Sequence, residues 1–299
     1  MADMPAGGAT VLTGHPGIQW VRETAEGTAW IEALPGLVQA CARRWSLRLS
    51  DPFPYAFASL AMPATLPDGG EAVLKVQFPD QESEHEAEAL SLWNGDGAVR
   101  LLGHDEARHA LLLERCRPGT PLSELDEDTA LEVMVDLLLR LWIPAASPFR
   151  SLASAAAEWT DHLNARWDRM GRPFERRLLD ATLDALATLA PSQGPQVLLH
   201  QDLHSGNVLR AEREPWLVID PKPLAGEREF GVAAVIRGGE LGSGPVHVRH
   251  RLHRLTVELG LDRERARLWT LAHTIAWAFA DDHVIAAHVE VARTLLETS

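Results

Sequence analysis

The spacing of apolar residues differs between the first and the later part of the chain. Before residue 117, short apolar runs separated by turns predict strands at 45–50, 55–62, 71–78, 98–105 and 109–116. One helix is predicted in this part, over residues 81–93, with Asp80 as its N-cap and the sequence NGDG at its end. This part is therefore predicted to be a small sheet with one helix.

From residue 117 onward, apolar residues recur mainly at the spacing of helices. The predicted helical segments are 128–143, 153–169, 174–190, 248–260 and 264–297. Strands return only between 196 and 220, as QVLLH, VLRA and WLVID. The sequence thus predicts an α+β protein of two lobes, a strand-rich lobe at 1–116 and a larger, mainly helical lobe at 117–299.

Composition narrows the class of protein. A hydrophobic fraction of 46% with 23% charged residues is typical of a globular protein. No apolar run is long enough to span a membrane, and the first residues lack the order of a signal peptide, so we expect a cytoplasmic location without a membrane partner. The two cysteines have no CxxC spacing, which argues against a disulfide framework. A net charge of −14 disfavours nucleic acid and favours a cationic small molecule.

A short polar loop between two apolar runs carries the main candidate chemistry. In HQDLHSGN (200–207), Asp202 precedes Asn207 by five residues, and Asp220 follows at the end of the next apolar run. Two carboxylates and an amide oxygen suit Mg²⁺ and phosphoryl transfer, with one aspartate acting on the attacking hydroxyl and the other ligands holding the metal. Each residue alone is equally well explained as a turn or a strand end. Their order between strands favours a site.

Lysine is rare in this chain, since only two of its 28 basic residues are lysines, Lys75 and Lys222. Lys75 lies inside a predicted strand and needs an anionic partner. At 100° per residue, Glu86 is on the apolar face of the predicted helix, so we expect Glu86 to pair with Lys75 and to direct its ammonium at nucleotide phosphates. Lys222 follows Asp220 by two residues and is also expected at the phosphate site.

These residues resemble a known family. Lys75, Glu86, HQDLHSGN and VIDPK are similar to the protein-kinase-like aminoglycoside phosphotransferases, and GAVRLLGHDEARHALLLERCRPGTPL is similar to the streptomycin and hydroxyurea phosphotransferase branch. The resemblance implies a bilobal kinase-like fold with a hinge near Glu114 to Cys116 that holds adenine. It also implies Asp202 as the catalytic base, with Asn207 and Asp220 as magnesium ligands.

The chain departs from the pattern of this family at three places. The loop SDPFPY (50–55), in the position of a phosphate-covering loop, has no glycine. Gln201 and Ser205 stand where relatives often carry glycine and proline, and Gly231 stands where the family usually has an aspartate.

A row of aromatic and acidic residues near the C-terminus has two interpretations. Trp269, His273, Trp277 and Asp281 follow at four-residue steps, with Asp282 next to the last. Trp277, Asp281 and Asp282 are candidate contacts for a sugar bearing amino or guanidino groups, through stacking and charge. Tryptophans in the core with aspartates at the surface explain the same pattern equally well.

The predicted function is phosphoryl transfer from ATP, with Mg²⁺, to a hydroxyl of a small cationic molecule. An aminoglycoside such as streptomycin is the first candidate, and the outcome would then be inactivation of an antibiotic. Hydroxyurea or another small metabolite is the alternative acceptor. A nucleotide-binding pseudokinase is the alternative from another class of protein.

Overall fold

The structure, a computed structural model, describes residues 8–54, 57–145, 147–280 and 283–298. By its internal contacts the chain divides into two compact units, Met1–Arg117 and Pro118–Ser299.

In the first unit, the described residues form one antiparallel sheet and three α-helices. In chain order its elements are α1 (Gly8–Thr13), α2 (Ala25–Arg44), β1 (Arg48–Leu49), β2 (Ser59–Thr65), β3 (Glu71–Gln77), α3 (Glu86–Trp93), β4 (Leu101–Asp105) and β5 (Ala110–Glu114). The strands lie in the order β1-β2-β3-β5-β4. β2 and β3 form a hairpin, whose turn is closed by the Leu66 N–H donating to the Gly70 carbonyl at 2.8 Å.

No helix is predicted before residue 45, yet the 20-residue helix α2 lies there. The Thr24 hydroxyl accepts a hydrogen bond from the Gly27 N–H and caps its first turn. Its apolar residues, among them Ile31, Leu34 and Val38, share one core with the buried side chains of β2 and β3. The helix therefore covers a sheet face that would otherwise expose apolar side chains to water.

The predicted start of the helix at 81–93 is wrong, because α3 begins at Glu86. The Asp80 carboxylate accepts hydrogen bonds from the backbone of Glu82 and Ser83, both at 2.8 Å, so it caps a turn and not the helix. The predicted end is correct, since Asn94 closes the helix in the left-handed conformation.

The second unit is mainly helical. Its helices are α4 (Glu127–Leu141), α5 (Leu152–Arg169), α6 (Arg176–Leu189), α7 (Ala233–Arg237), α8 (Pro245–Glu258), α9 (Arg263–Ala276) and α10 (Ala286–Leu296). Its strands are β6 (Arg150–Ser151), β7 (Val197–Leu199), β8 (Val208–Arg210), β9 (Trp216–Val218) and β10 (Leu224–Gly226), paired as β6-β10-β7 and β8-β9. Of the helices in the described ranges, none combines the length and apolarity needed to cross a membrane.

The segment predicted as helical over 264–297 is two helices. After Ala276 the backbone turns, with the Ile285 N–H donating to the Ala278 carbonyl at 2.8 Å and a bridge between Phe279 and Val284. The apolar pattern continues through this turn because the residues on both sides of it are packed into the same core. Periodicity alone therefore does not show the break.

Gly231 lies against the indole ring of Trp142, which leaves no room for a side chain at position 231. A Cβ at this position would lie 2.6 Å from Nε1 of Trp142, which is itself buried. A side chain here, including the aspartate usual in the family, would have to displace the Trp142 ring.

We expect Gly231→Ala to lower the free energy of unfolding by about 1–3 kcal/mol, the usual cost of overpacking a core. Gly36→Ala is the matched control, since a Cβ there meets nothing within 4 Å inside helix α2 and should be stabilising. Urea unfolding of both variants measures the difference. Equal effects of the two substitutions would show that Trp142 leaves room at position 231.

Candidate active site

In the first unit, Lys75 and Glu86 form a buried ion pair. Lys75 Nζ lies 2.5 Å from Glu86 Oε2, and both residues are at most 5% exposed. The side-chain amide of Gln77, two residues along β3, donates to the same carboxylate oxygen at 2.7 Å. The ammonium is thus fixed in direction by β3 and α3 together.

The pairing agrees with the helix geometry expected from the sequence. Glu86 is buried on the face of α3 that also buries Ala89, Leu90 and Trp93, whereas Glu84 is exposed. A buried carboxylate is costly without a partner, so Lys75 and Glu86 require each other. That the pair binds nucleotide stays a prediction.

Glu114 and Cys116 lie at and just beyond the end of β5. The Glu114 N–H donates to the Arg100 carbonyl at 2.9 Å, and its carboxylate accepts from the Arg100 N–H at 3.0 Å. The Cys116 side chain is buried. These bonds hold the segment in place against β4, and its predicted contact with adenine stays a prediction.

We expect Lys75→Arg to weaken ATP binding nearly as much as Lys75→Ala, by about 10- to 100-fold, the value of one charge-assisted hydrogen bond. The closed space between β3 and α3 suits a compact ammonium, and a longer planar guanidinium does not fit it. Isothermal titration with ATP tests this, with Arg22→Lys at an exposed position as control. Binding by Lys75→Arg at wild-type strength would contradict a fitted lysine.

In the second unit, the polar loop after β7 presents Asp202. The loop is tied to its neighbours by backbone bonds, because the Lys222 N–H donates to the His200 carbonyl at 3.0 Å and the Asp202 N–H donates to the same oxygen at 2.8 Å. The His200 ring is buried, with Nε2 2.9 Å from the Ile219 carbonyl. The Asp202 side chain is 15% exposed, so a ligand can reach it.

Asn207 and Asp220 flank the β8-β9 hairpin. Val208 pairs with Val218, and the Ile219 N–H donates to the Asn207 carbonyl at 2.9 Å, which places the two predicted metal ligands at the same end of the hairpin. The Asn207 amide nitrogen donates to the Asp202 carbonyl at 3.0 Å, which leaves Oδ1 to serve as a ligand. Among the described residues, no cluster of three or more His, Cys, Asp or Glu side chains forms a metal site. One carboxylate and one amide oxygen still fit Mg²⁺, which completes its shell with water and phosphate.

Two cations flank the Asp202 carboxylate. Lys222 Nζ lies 3.7 Å from Oδ2, and Arg237 Nη2 lies 3.5 Å from Oδ1. Both cations also contact the ring of Trp277, at 4.7 Å and 4.9 Å from its centroid. The predicted residue Lys222 is therefore beside the predicted base.

Gln201 occupies a left-handed backbone conformation, with φ of 64°. This conformation costs a residue other than glycine roughly 1–2 kcal/mol, which explains why relatives often carry glycine at this point. This conformation makes a bend between β7 and Asp202. The left-handed conformation of Gln201 is present despite its cost in free energy.

Protonation of His200 should make the protein less stable in mild acid. Burial, only partly offset by the charge of Asp202, lowers the pKa of His200 from 6.5 to about 4. Between these values only the unfolded state binds the proton, so stability present at neutral pH is lost as the pH falls towards 4. From pH 7 to pH 5, wild type should lose about 2 kcal/mol more than His200→Gln, as measured by urea unfolding. Equal losses in the two proteins would contradict a neutral, buried His200.

The predicted aromatic and acidic row is mostly core. Trp269 and His273 are fully buried in α9, where both contact Phe230. Of the two interpretations of the row, the core interpretation explains these two residues. Trp277 is half-buried at the end of the helix, while Asp281 and Asp282 lie outside the described residues.

Two residues at these sites have no counterpart in the predictions. Gln77 follows Lys75 by two residues, so the period of a strand could have placed it on the same face. Arg237 ends the short helix α7, where an arginine ordinarily indicates only a favourable charge at a helix C-terminus. Its proximity to Asp202 depends on packing between distant segments and has no local signal.

The fold and this site define a protein-kinase-like phosphotransferase. A solved structure of similar fold is a thermostable mutant of the aminoglycoside phosphotransferase APH(4)-Ia in a ternary complex with ADP and hygromycin B. It superposes with a TM-score of 0.62 at 15% identity, covering 87% of this chain and 98% of that one.

The sequence comparisons give the family. The family model described as aminoglycoside/hydroxyurea antibiotic resistance kinase matches residues 44–283. A hydroxyurea phosphotransferase of Kitasatospora aureofaciens is 42% identical, covering 90% of this chain and 80% of that protein. A streptomycin 6-kinase of Streptomyces griseus is 40% identical, covering 84% and 83%. The chain belongs to the aminoglycoside/hydroxyurea antibiotic resistance kinase family, and it is an ATP-dependent phosphotransferase of small molecules.

Proposed function

We propose that the protein transfers the γ-phosphate of ATP to a hydroxyl of an aminoglycoside such as streptomycin. The observation that carries this proposal is the placement of Asp202, an accessible carboxylate on a loop held by backbone bonds to the segments on both sides. Similarity to the streptomycin 6-kinases supports the choice of acceptor.

In this reaction Asp202 acts on the acceptor. The hydroxyl oxygen forms the new bond to the γ-phosphorus, the bond from that phosphorus to the oxygen of ADP breaks, and the hydroxyl proton passes to the Asp202 carboxylate. Because little covalent chemistry is left to the protein, positioning and charge supply most of the rate acceleration.

Asn207 and Asp220 would hold magnesium. When bound there, the metal would supply positive charge to the phosphate oxygens. The role of the chain is to present an oriented amide oxygen and a carboxylate at one end of the hairpin, with Asn207 kept in orientation by its bond to the Asp202 carbonyl.

The nucleotide-binding role is assigned to the first unit. Lys75, directed by Glu86, would bind phosphate, and the segment from Glu114 to Cys116 would bind adenine, which makes 1–116 the nucleotide-binding lobe. The lobe at 117–299 would bind the acceptor and catalyse the transfer, with Lys222 adding charge beside Asp202.

The charges beside Asp202 indicate that the hydroxyl of the acceptor and its cationic groups bind at different places. Lys222 and Arg237 beside Asp202 disfavour an ammonium or guanidinium at that point, so the neutral hydroxyl approaches the carboxylate. The net charge of −14 still attracts a cationic acceptor over longer distances. We assign the reaction to the cytoplasm, where ATP is available.

Hydroxyurea is the second candidate acceptor. The 42% identity to a hydroxyurea phosphotransferase favours it, and so does the positive charge beside Asp202, since hydroxyurea is small and neutral. The two candidates differ in charge, and this difference can be measured.

The test is a phosphorylation assay with ATP and Mg²⁺, using streptomycin and hydroxyurea in parallel, with detection of the phosphorylated product by mass spectrometry. We expect streptomycin to be phosphorylated with a kcat/KM that falls as salt is raised, because salt screens the attraction of a cation. A kcat/KM for hydroxyurea should not depend on salt.

The outcomes separate the candidates. Phosphorylation of hydroxyurea alone would reverse the choice of acceptor. If ATP raises the melting temperature while no acceptor is phosphorylated and no ATP is consumed, the protein is a nucleotide-binding pseudokinase and the proposal fails.

A further inference from the structure

Arg237 is a buried cation at the end of α7, and it is 9% exposed. A buried guanidinium carries a high desolvation cost and persists only where partners compensate it. Its contacts therefore indicate what the charge is for.

The guanidinium of Arg237 joins two elements to the Asp202 loop. One nitrogen, Nη1, lies 3.1 Å from Nδ1 of His273 on α9, and the other, Nη2, lies 3.5 Å from Asp202 Oδ1. The guanidinium carbon Cζ lies over the Trp277 ring, 4.9 Å from its centroid. The two terminal nitrogens of the guanidinium thus have different partners. A lysine, which has a single ammonium nitrogen, could not hold both partners in one plane.

His273 is suited to receive this bond. Arginine has only donors, so the Nδ1 of His273 must accept and its proton must be on Nε2. Burial and the charge of Arg237 both lower the pKa of His273 well below 6.5, which keeps the ring neutral and able to accept. The ring is held between Phe230 and Trp277, at centroid distances of 5.0 Å and 4.4 Å.

Lys222, the other cation beside Asp202, is held less firmly. Its side chain is 19% exposed against 7% for Arg237, and its ammonium sits on a flexible stem. The rigid contact to the carboxylate is therefore the one from Arg237.

We propose that Arg237 is a positioning residue that orients the Asp202 carboxylate through Oδ1, with His273 and Trp277 holding the guanidinium in place. This inference rests on the proposed function, in which Asp202 acts on the acceptor hydroxyl. Arg237 contacts Oδ1, so the acceptor hydroxyl is expected to give its proton to Oδ2, where the flexible Lys222 ammonium lies 3.7 Å away and can be displaced. The separation is 3.5 Å, and we expect it to shorten when the acceptor binds, as is common for catalytic hydrogen bonds.

The first experiment compares Arg237→Ala with wild type in the assay with ATP and streptomycin, and with hydroxyurea as second acceptor. We expect kcat to fall by about 10²-fold, the usual effect of misplacing a catalytic group. KM for ATP should stay within about twofold, because the contact acts on chemistry and not on nucleotide binding. Guanidinium chloride added at millimolar concentration should restore part of kcat in Arg237→Ala. It should not raise kcat in wild type.

Arg267→Ala is the matched control. Arg267 is a buried arginine on α9, the helix that carries His273, and it binds the Leu295 carbonyl and Glu264. Its loss should lower the melting temperature without lowering kcat of the folded protein, and guanidinium should not affect it.

A second pair of variants tests the support from His273. His273→Asn keeps an acceptor close to the position of Nδ1, whereas His273→Leu keeps the bulk and loses the acceptor. We expect His273→Asn to retain a larger part of kcat than His273→Leu at equal KM for ATP.

The results overturn the inference in defined ways. If Arg237→Ala keeps the wild-type kcat, or loses activity only in proportion to its folded fraction with no rescue by guanidinium, Arg237 is structural. If Asp202→Ala keeps full turnover, Asp202 does not act on the acceptor hydroxyl and the proposed function is wrong. If wild type phosphorylates neither acceptor, wild type and the same variants are compared in ATP hydrolysis, in which water takes the place of the hydroxyl. If wild type does not hydrolyse ATP either, both proposals are overturned.

Discussion

Asp202→Ala is expected to reduce turnover by about 10²- to 10⁴-fold, the range for loss of a general base, while ATP affinity stays nearly unchanged. The structure explains why the effect should be specific. The bonds that shape the loop are made by the Asp202 backbone, which donates to the His200 carbonyl and accepts from the Asn207 amide. Alanine keeps both bonds and removes only the carboxylate.

Steady-state kinetics and ATP titration measure the two effects separately. Asp184→Ala, at an exposed carboxylate on α6, serves as control and should leave both quantities unchanged. Asp202→Asn, which keeps the shape of the side chain, should be as inactive as the alanine variant. Full turnover by either variant at position 202 would rule out a catalytic carboxylate.

Asp220→Ala is expected to abolish the dependence of ATP affinity on Mg²⁺. Removal of a formal charge from a cation site costs more than removal of an amide oxygen, so Asn207→Ala should weaken this dependence less. The Asn207 variant should lower turnover as well, because it also loses the hydrogen bond to the Asp202 carbonyl.

Calorimetric titration of ATP with and without Mg²⁺ tests these expectations. Asn207→Asp is the informative control, since it keeps an oxygen ligand and loses the amide donor. It should bind Mg²⁺ with ATP and yet turn over slowly. If all three variants respond to Mg²⁺ as wild type does, the metal is held by other residues.

The residues that could be predicted from the sequence are those fixed by local periodicity. Position 86 lies on the apolar face of α3 because of the helical repeat, and Lys75 lies inside β3 because of the alternation of a strand. The ion pair between them needs no knowledge of distant segments beyond the adjacency of β3 and α3. The same holds for the short strands on both sides of Asn207, which are predicted from apolar runs of two to four residues.

The features that were not predicted depend on long-range packing. Nothing near Arg237 indicates that α7 brings it to Asp202, some 35 residues earlier in the chain. Trp269 and His273 on α9 have the same spacing whether they face a pocket or the core, and their contacts with Phe230 show that they face the core. Asp80 has the residue type of a helix cap, but its bonds close a turn that ends before α3.

The scarcity of lysine makes this protein unusually simple for amine chemistry. Lys75 and Lys222 carry the side-chain amines of the sequence, and Lys75 is 5% exposed. An acylating reagent therefore has almost no other side-chain amines to modify at the surface. Each modified side chain is one that we assign to nucleotide binding or to the surroundings of the catalytic base. Peptide mapping after acylation, with ATP as a protecting ligand, would report occupancy at Lys222, the more exposed of the two amines. A protease specific for lysine can cut the whole chain only at these two residues.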